Sequence, residues 1–476
     1  MLRGSFHCWN RPAANRGRRL VRSRPTGDAS IVNFPHYELQ TACLVVGGGP
    51  AGYGAAVAAS SRGAQVILAE RHGFLGGMGS AAGLGCYLNH RGADRDLSDG
   101  VYQELVQTLR QQGATYHDDY SQADFFEPEW CKRLMEQRLL RAGVRLLYHC
   151  LFEQVERDGE GWRVTFLAKG GRVVVRCAYL VDATGDADVC TAAGVTVTHG
   201  RRSDGKAQPM TMVVQLGGFD PAAWARAGGR MVGDGSFAME GDCFATAIAA
   251  ARAAGHWTIP RTEIAMFWSM PSDPTRITIN GTRINGLSAC NPLDVTAAEV
   301  EGRRQAQEIL HFFRHYVPGG ADVYLLQTGP QVGVRESRRI AGRAVLSEED
   351  VRAGRRPPNA VVTCSYPIDV HHPDGAGTQF EKVTQDHAYG IPWECLLPIG
   401  AENLVAAGRC ISATHEAAGS FRVMPTCMGL GEAAGTAVDL AQAEGVPLHA
   451  ITGERIRRAM DARKAALVTT DAGSRS

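Results

Sequence analysis

The sequence predicts an α/β fold of Rossmann type, and three stretches carry that prediction. An apolar strand runs into a glycine loop and an alanine-rich helix at residues 43–59. A strand-rich meander over 144–186 ends in "YLVDATGD". Far downstream, "LVAAGR" at 404–409 is another short apolar strand that ends at a glycine.

Residues 43–70, "CLVVGGGPAGYGAAVAASSRGAQVILAE", hold the first element complete. The strand Cys43 to Val46 leads into Gly47-x-Gly49-x-x-Gly52, and then come a helix, a break at Gly63, a second apolar strand and Glu70. Gly47 permits the tight turn, Gly49 lets a pyrophosphate approach the backbone, and Gly52 lets the helix pack closely on its strand. Free amides at the helix start are the expected diphosphate site. Glu70 stands where a carboxylate accepts from adenosine ribose hydroxyls and disfavours a 2′-phosphate.

"ERHGFLGGMGSAAGLG" adds a second glycine segment through Gly76, Gly77, Gly79 and on to Gly85. An NAD-only domain would pass directly to a third strand and helix. A loop whose backbone passes beside a long extended ligand points to FAD.

These segments resemble the FAD-dependent oxidoreductases. Four narrower stretches, "INGTRINGL" (279–287), "GVRESRRIAG" (333–342), "YPIDVHHPDG" (366–375) and "GRCISATHEAAGSFRVMPTCMGLGEAAGTA" (408–437), resemble a bacterial subgroup related to the fumarate reductase and succinate dehydrogenase flavoproteins. The resemblance covers about residues 41 to 445. It implies a two-part Rossmann-like FAD-binding domain, residues 40–205 and 385–465, with an inserted α+β substrate domain at 206–384. Residues 1–39 are then a disordered basic extension and 466–476 a tail. The implied FAD contacts are Gly47, Gly49, Pro50, Ala51, Gly52, Glu70, Arg71, Gly76, Gly77, Met78, Phe152, Ala183, Thr184, Gly185, Gly408, Arg409, Thr426, Cys427 and Met428. One departure is visible: many flavoproteins of the wider group have Gly-Asp where this chain has Gly408-Arg409, so Arg409 is expected to reach a phosphate or to face solvent.

Smaller elements follow from local pattern. "PEWCKRLMEQRLLRAG" reads as an amphipathic helix covering the first part. Ala297 to Tyr316 is expected to be helical, with Val300, Ile309 and Phe312-Phe313 on its apolar face. Ser347-x-x-Asp350 is a capping box that opens a short helix. Residues 234–260 receive no role.

Flavin chemistry asks the protein for positive potential near the ring, a substrate anchor and a base. Pro425 suits the first position of a helix. The amides of Thr426, Cys427 and Met428 would then point out of the helix start toward the flavin. The same position is expected to lower the Cys427 pKa, which keeps thiol chemistry as a minor alternative. Arg422 is the preferred carboxylate anchor, with Arg335 and Arg338 behind it. His415, next to Glu416, and His371, next to His372, are the candidate bases.

Composition narrows the rest. The first 27 residues carry seven arginines and no acid, so the remainder has net charge −6, and nothing suggests nucleic-acid binding. That head lacks the apolar core of a secretory signal. Thirteen cysteines stand singly with no C-x-x-C, which disfavours a cluster, a zinc site or a redox dithiol and fits a reduced cytoplasm. No metal is expected. No apolar run is long enough for a membrane helix.

The expectation is therefore an FAD-dependent dehydrogenase, oxidase or C=C reductase, moving a hydride between a small polar substrate and flavin. The electron acceptor (O2, quinone or carrier protein) is open, and so is a homo-oligomer. The rival readings are a flavin monooxygenase using NAD(P)H and O2, and a redox-neutral or non-catalytic FAD protein.

Overall fold

The computed structural model describes residues 35–88, 100–118, 121–229, 244–270, 272–381 and 388–473. The seven-arginine head, residues 234–243 and the last three residues lie outside these.

Cys43, Leu44, Val45 and Val46 are buried on both faces, as expected for a central strand of a covered sheet. They end the strand His36–Val46, whose first residues fall inside the stretch assigned to the basic extension. Its parallel neighbours are Val66–Ala69 on one side and Gly171–Asp182 on the other, with Arg145–Leu147 beyond Val66–Ala69. Gly171–Asp182 is long enough to pair twice. Its first half takes the antiparallel meander Gly161–Ala168 and Cys150–Asp158, and its end takes Leu404–Ala406 in parallel. Two distant chain segments thus share one seven-stranded sheet.

The helix Pro50–Ala59 lies against the helix Met424–Glu444, almost backbone on backbone. A Cβ on Gly431 would lie 1.8 Å from the Ala51 carbonyl oxygen, and one on Gly435 would lie 2.2 Å from that of Ala55. The glycine- and alanine-rich run after Pro425 is a packing requirement.

Between the first strands and the meander, two helices, Val101–Gln111 and Pro128–Arg141, cover the core as expected. A small three-stranded antiparallel sheet of Cys86–Tyr87, Thr115–Asp118 and Ala123–Phe126 stands beside them.

The inserted part has its own antiparallel sheet, in the order Ala265–Trp268, Ile277–Asn280, Val214–Gly217, Tyr324–Thr328. Its core gathers Phe219, Trp257, Ile309, Phe312 and Phe313. The long helix runs Pro292–Tyr316, starting five residues earlier than its apolar pattern indicates. Asn291 accepts from the Leu293 amide and Pro292 takes the first turn, so the cap sets the start. Val300 is exposed; Ala298, Gly302 and Ala306 form the buried face with Ile309 and Phe312-Phe313. The capping box at Ser347 and Asp350 forms and opens the helix Glu348–Arg352.

The return to the first core comes earlier than residue 385. Leu346, Val361, Val362, Tyr366 and Ile368 pack in the same cluster as the helix Pro50–Ala59. The hairpin Ala360–Cys364 with Tyr389–Pro392 supports the helix Met424–Glu444 from outside. The C-terminal helix Gly453–Gly473 continues through most of the expected tail. No helix among the described residues is long and apolar enough to cross a membrane.

Candidate active site

Gly47 has φ +102°, and its amide donates to the Ala69 carbonyl at 2.8 Å, which turns the chain between two strands. A Cβ on Gly52 would sit 1.7 Å from the Gly47 carbonyl oxygen, so the helix can approach the turn only with glycine there. At Gly49 the nearest atom to a Cβ is Gly77 Cα at 3.6 Å, leaving the backbone open to a ligand. Gly49 caps the helix Pro50–Ala59 without a side-chain partner, and the first amide of the ladder is that of Tyr53, bonded to Gly49. The amides of Ala51 and Gly52 precede it and are unused by the ladder.

A cleft of about 380 Å³ opens over this helix start. Of the residues expected to touch the cofactor, Gly47, Gly49, Pro50, Ala51, Glu70, Arg71, Gly77, Met78, Phe152, Ala183, Thr184, Gly185, Gly408, Arg409 and Cys427 line it. Four do not. Gly52 and Gly76 act through the backbone, Gly76 at φ +107° with its amide on the Gly48 carbonyl. Thr426 donates to Cys364 Sγ at 3.3 Å, and Met428 is fully buried.

Glu70 is buried, and its carboxylate already accepts from the Gly48 amide at 2.6 Å and the His72 amide at 2.8 Å. It holds the glycine loop while still bordering the cleft. Asp182 does the same for the second loop, accepting from the amide and hydroxyl of Thr184 and the amide of Cys190. Across the mouth, Gln331 of the inserted part accepts at Oε1 from Arg71 at 3.0 Å and from His72 Nε2 at 2.9 Å.

Arg409 neither faces solvent nor stands free. Its Nη2 donates to Asp186 Oδ1 at 2.7 Å, and its Nε is buried with no partner. Burial alone would push the Asp186 carboxyl up, but the Arg409 charge and hydrogen bonds from Ser337 and Arg409 bring it below its ordinary value. Asp188 goes the other way: burial and the charges of Asp186 and Asp182 raise it to about 6, against Arg338.

A smaller chamber of about 130 Å³ adjoins the cleft. Met78, Arg409, Arg422 and Met424 line both, so they form the junction. The chamber's polar wall is Arg335, Tyr366, Asp369, His371 and Arg422. Arg422 donates through Nη2 to the Asp369 carbonyl at 3.0 Å and to Asp369 Oδ2 at 3.3 Å, while its Nε is buried without a partner. Arg335 donates to the Pro209 carbonyl at 2.7 Å and the Thr211 hydroxyl at 3.2 Å. Tyr366 donates to Asp369 Oδ2 at 3.2 Å. Burial opposes the Asp369 charge, yet the His371 contact and the Arg422 and Arg335 charges hold its carboxyl below the ordinary range.

His371 does not suit the part of a base. Burial and the Arg335 charge hold it down to about 3, against the opposing pull of Asp369, so the ring is neutral at pH 7. Arg283 Nη2, which can only donate, lies 3.2 Å from Nδ1. The proton therefore sits on Nε2, which faces Asp369 Oδ1 at 3.6 Å. His415 is not in the chamber at all. It starts the helix His415–Phe421 and bonds through Nδ1 to Glu336 Oε1 at 2.8 Å, in a buried knot with Arg339. The "RESRR" segment divides accordingly: Arg335 faces the chamber, Glu336 and Arg339 meet His415, and Arg338 ties to Asp188 and the Asp186 carbonyl.

The helix after Arg422 starts one residue before Pro425, with Val423 as its cap. The Cys427 amide donates to the Val423 carbonyl at 3.0 Å, so it and the Met428 amide belong to the ladder. The free donors are the amides of Met424 and Thr426. Nor is the Cys427 thiol activated: burial pushes it up to about 12 despite the Arg409 and Arg422 charges.

Asp182, Asp186, Asp188, His72 and Gln331 were not singled out in the sequence. The alternating acids of "DATGDAD" are the one local signal for three of them.

A glycine turn, an uncapped helix start and a long cleft at the carboxyl ends of parallel strands define a dinucleotide-binding protein of the Rossmann class. The family model for FAD dependent oxidoreductases matches residues 42–460, and the chain belongs to that family. It is an FAD-dependent enzyme. No curated protein matches the chain in sequence. Among solved structures, the p-nitrophenol 4-monooxygenase PnpA from Pseudomonas putida DLL-E4 is 12% identical with a TM-score of 0.47, over 86% of this chain and 82% of that one. A geranylgeranyl bacteriochlorophyll reductase-like protein from Thermoplasma acidophilum is 11% identical with a TM-score of 0.43, over 91% and 84%. The myxobacterial chondrochloren halogenase CndH is 13% identical with a TM-score of 0.44, over 90% and 79%. Likeness at this level says nothing about the reaction.

Proposed function

We propose that the chain is a hydride-transferring oxidoreductase, with FAD in the larger cleft and a small polar substrate in the chamber beside it. The observation that carries this reading is the shared wall: a molecule in the chamber meets the end of the cleft at Met78, Arg409, Arg422 and Met424.

The residues present fit the cofactor. Ala51 and Gly52 offer amides for a diphosphate, the open side of Gly49 admits it, and Glu70 borders the position of a ribose. The orphaned Nε atoms of Arg409 and Arg422 need acceptors that a ligand at the junction would bring. When bound, FAD supplies a two-electron acceptor or donor for a substrate C–H bond.

The chain's own residues supply position and charge. Arg422 and Arg335, two cations against the one carboxylate of Asp369, give the chamber positive potential where negative charge develops. His371, neutral with its Nε2 proton toward Asp369 Oδ1 at 3.6 Å, borders that carboxylate without a hydrogen bond to it. Asp369 fixes Arg422 and Tyr366, so the polar wall is preorganised before a substrate enters.

Anaerobic mixing of the FAD-loaded enzyme with alcohols, amines and activated alkenes, the last on pre-reduced enzyme, tests the proposal. Bleaching or recovery of the flavin band by one class supports hydride transfer. A band that none of them moves favours a structural flavin, and rapid NADPH oxidation in air would favour oxygen insertion.

A further inference from the structure

The polar wall of the chamber carries an unbalanced charge. Two guanidiniums, Arg335 and Arg422, line it against a single carboxylate, Asp369, and that carboxylate is already engaged by Arg422 and Tyr366. Arg409, at the junction, is neutralised by Asp186. Behind it stand two more arginines, Arg283 and Arg261, with the carboxylate of Glu263 offsetting part of their charge. Arg283 lies against His371 and donates to the carbonyl of Gly377 at 2.8 Å, and Arg261 donates to Asn280 Oδ1 at 3.4 Å. Burial, then the charges of Arg422 and Arg261, hold the Arg335 guanidinium well below the ordinary arginine range. A half-buried cation among other cations favours a counter-ion.

Geometry leaves the donors open on the chamber side. Arg335 has two of its five N–H groups in hydrogen bonds, both to residues of the inserted part, and Arg422 uses only Nη2. The Nε of Arg422 is buried and unpaired, and it belongs to a side chain that lines the chamber. The rest of the lining is largely aliphatic, with Ala82, Leu84, Leu88, Val213 and Val334 beside the neutral Thr211 and Asn280.

We infer that the substrate is a small monocarboxylate, its carboxylate held by Arg335 and Arg422 and its carbon chain lying on the aliphatic wall. This rests on the reading of the chamber as the substrate site. A neutral polyol would leave the excess cation uncompensated. A dicarboxylate would need a further uncompensated cation, and Arg409, the other arginine in the lining, is already paired with Asp186.

The test titrates the FAD-loaded enzyme with propionate, with propionamide as the neutral isostere and succinate as the dianion. Binding is read from the flavin difference spectrum and by calorimetry. A charge-assisted pair predicts saturable propionate binding, roughly tenfold or more tighter than either control. Arg335→Met should weaken propionate by roughly tenfold or more with FAD content unchanged; Arg422→Met, at the junction, should weaken it as much when compared per bound FAD, and Arg422→Lys should keep part of the affinity. Propionamide or succinate binding as well as propionate, no saturable propionate binding, or wild-type affinity in FAD-loaded arginine variants would each overturn the assignment. If a variant does not hold FAD, the comparison of the three ligands on the unaltered enzyme decides. Anaerobic mixing with 2-hydroxy and 2-amino monocarboxylates is read separately. Propionate binding without bleaching leaves the anion site standing and removes hydride transfer, whereas bleaching by neutral compounds without propionate binding does the reverse.

Discussion

Arg409 follows Gly408 and bonds through one nitrogen to Asp186, with both side chains largely buried. Arg409→Met would leave that carboxylate buried and unpaired, a change that costs roughly 3–5 kcal/mol in comparable sites. Urea unfolding of the FAD-free protein should show the loss, and adding Asp186→Asn should recover part of it. Asp188 gives a pH signature. Its folded pKa of about 6 lies above its ordinary value, so the fold favours the neutral acid. Its contribution to stability is complete below pH 4 and is lost as pH rises through 6. The stability of wild type relative to Asp188→Asn should therefore fall between pH 4 and 6 and stay level above 7. A flat difference across that window would reject the shift. At Cys427 the buried thiol stays protonated at neutral pH. Cys427→Ser should keep its FAD and most turnover, and the native thiol should resist iodoacetamide until the protein is unfolded.

Among elements, the pair of helices Pro50–Ala59 and Met424–Glu444 is the least tolerant of change. Gly431→Ala would drive a methyl into the Ala51 carbonyl, and the helices would have to separate. Overpacking of this kind costs about 1–3 kcal/mol or more, and it should lower both the melting temperature and FAD content. Gly63→Ala is the control, with nothing within 4 Å and only its φ of +81° to oppose it, at about 1–2 kcal/mol. These helices also show which parts of the fold are legible in sequence. The strand, turn and helix of 43–59 follow from neighbours in the chain, and so does the capping box at Ser347. The start of the helix Pro292–Tyr316 is hidden in the sequence because its first turn is exposed, with Leu293 in solvent, and only the Asn291-Pro292 cap marks it. The small sheet around Ala123–Phe126 was missed for a related reason, since four-residue strands lack a readable period.

At the scale of the whole molecule, the glycine loops that border the cleft are legible in the sequence and the chamber is only half so. Glycine loops announce themselves locally, and Arg335 and Arg422 stood out by type. That His415 meets Glu336, 79 residues away, and so leaves the chamber, is a tertiary fact with no local trace. The strand Ala360–Cys364 falls within the stretch expected for the insertion for the same reason: its partners, Tyr389–Pro392 among them, lie with the first core. The contact of Gln331 with Arg71 and His72 spans about 260 residues and closes the insertion over the cleft. Gln331→Ala should speed FAD release in a dilution assay. Saturating FAD at 100 times its Kd should stabilise the wild type by about 2.7 kcal/mol, and the variant by less at the same FAD concentration.

The glycine-lined seam between the two helices also sets a timetable. Pro50–Ala59 leaves the ribosome with one apolar side bare, and its partner begins only at Met424. At about 5–20 residues per second, that gap lasts on the order of twenty to seventy seconds. Throughout it the nascent nucleotide fold has a central sheet that lacks Leu404–Ala406 and a first helix without cover. Translation speed and chaperone supply should therefore govern the yield of this enzyme more strongly than its final stability does.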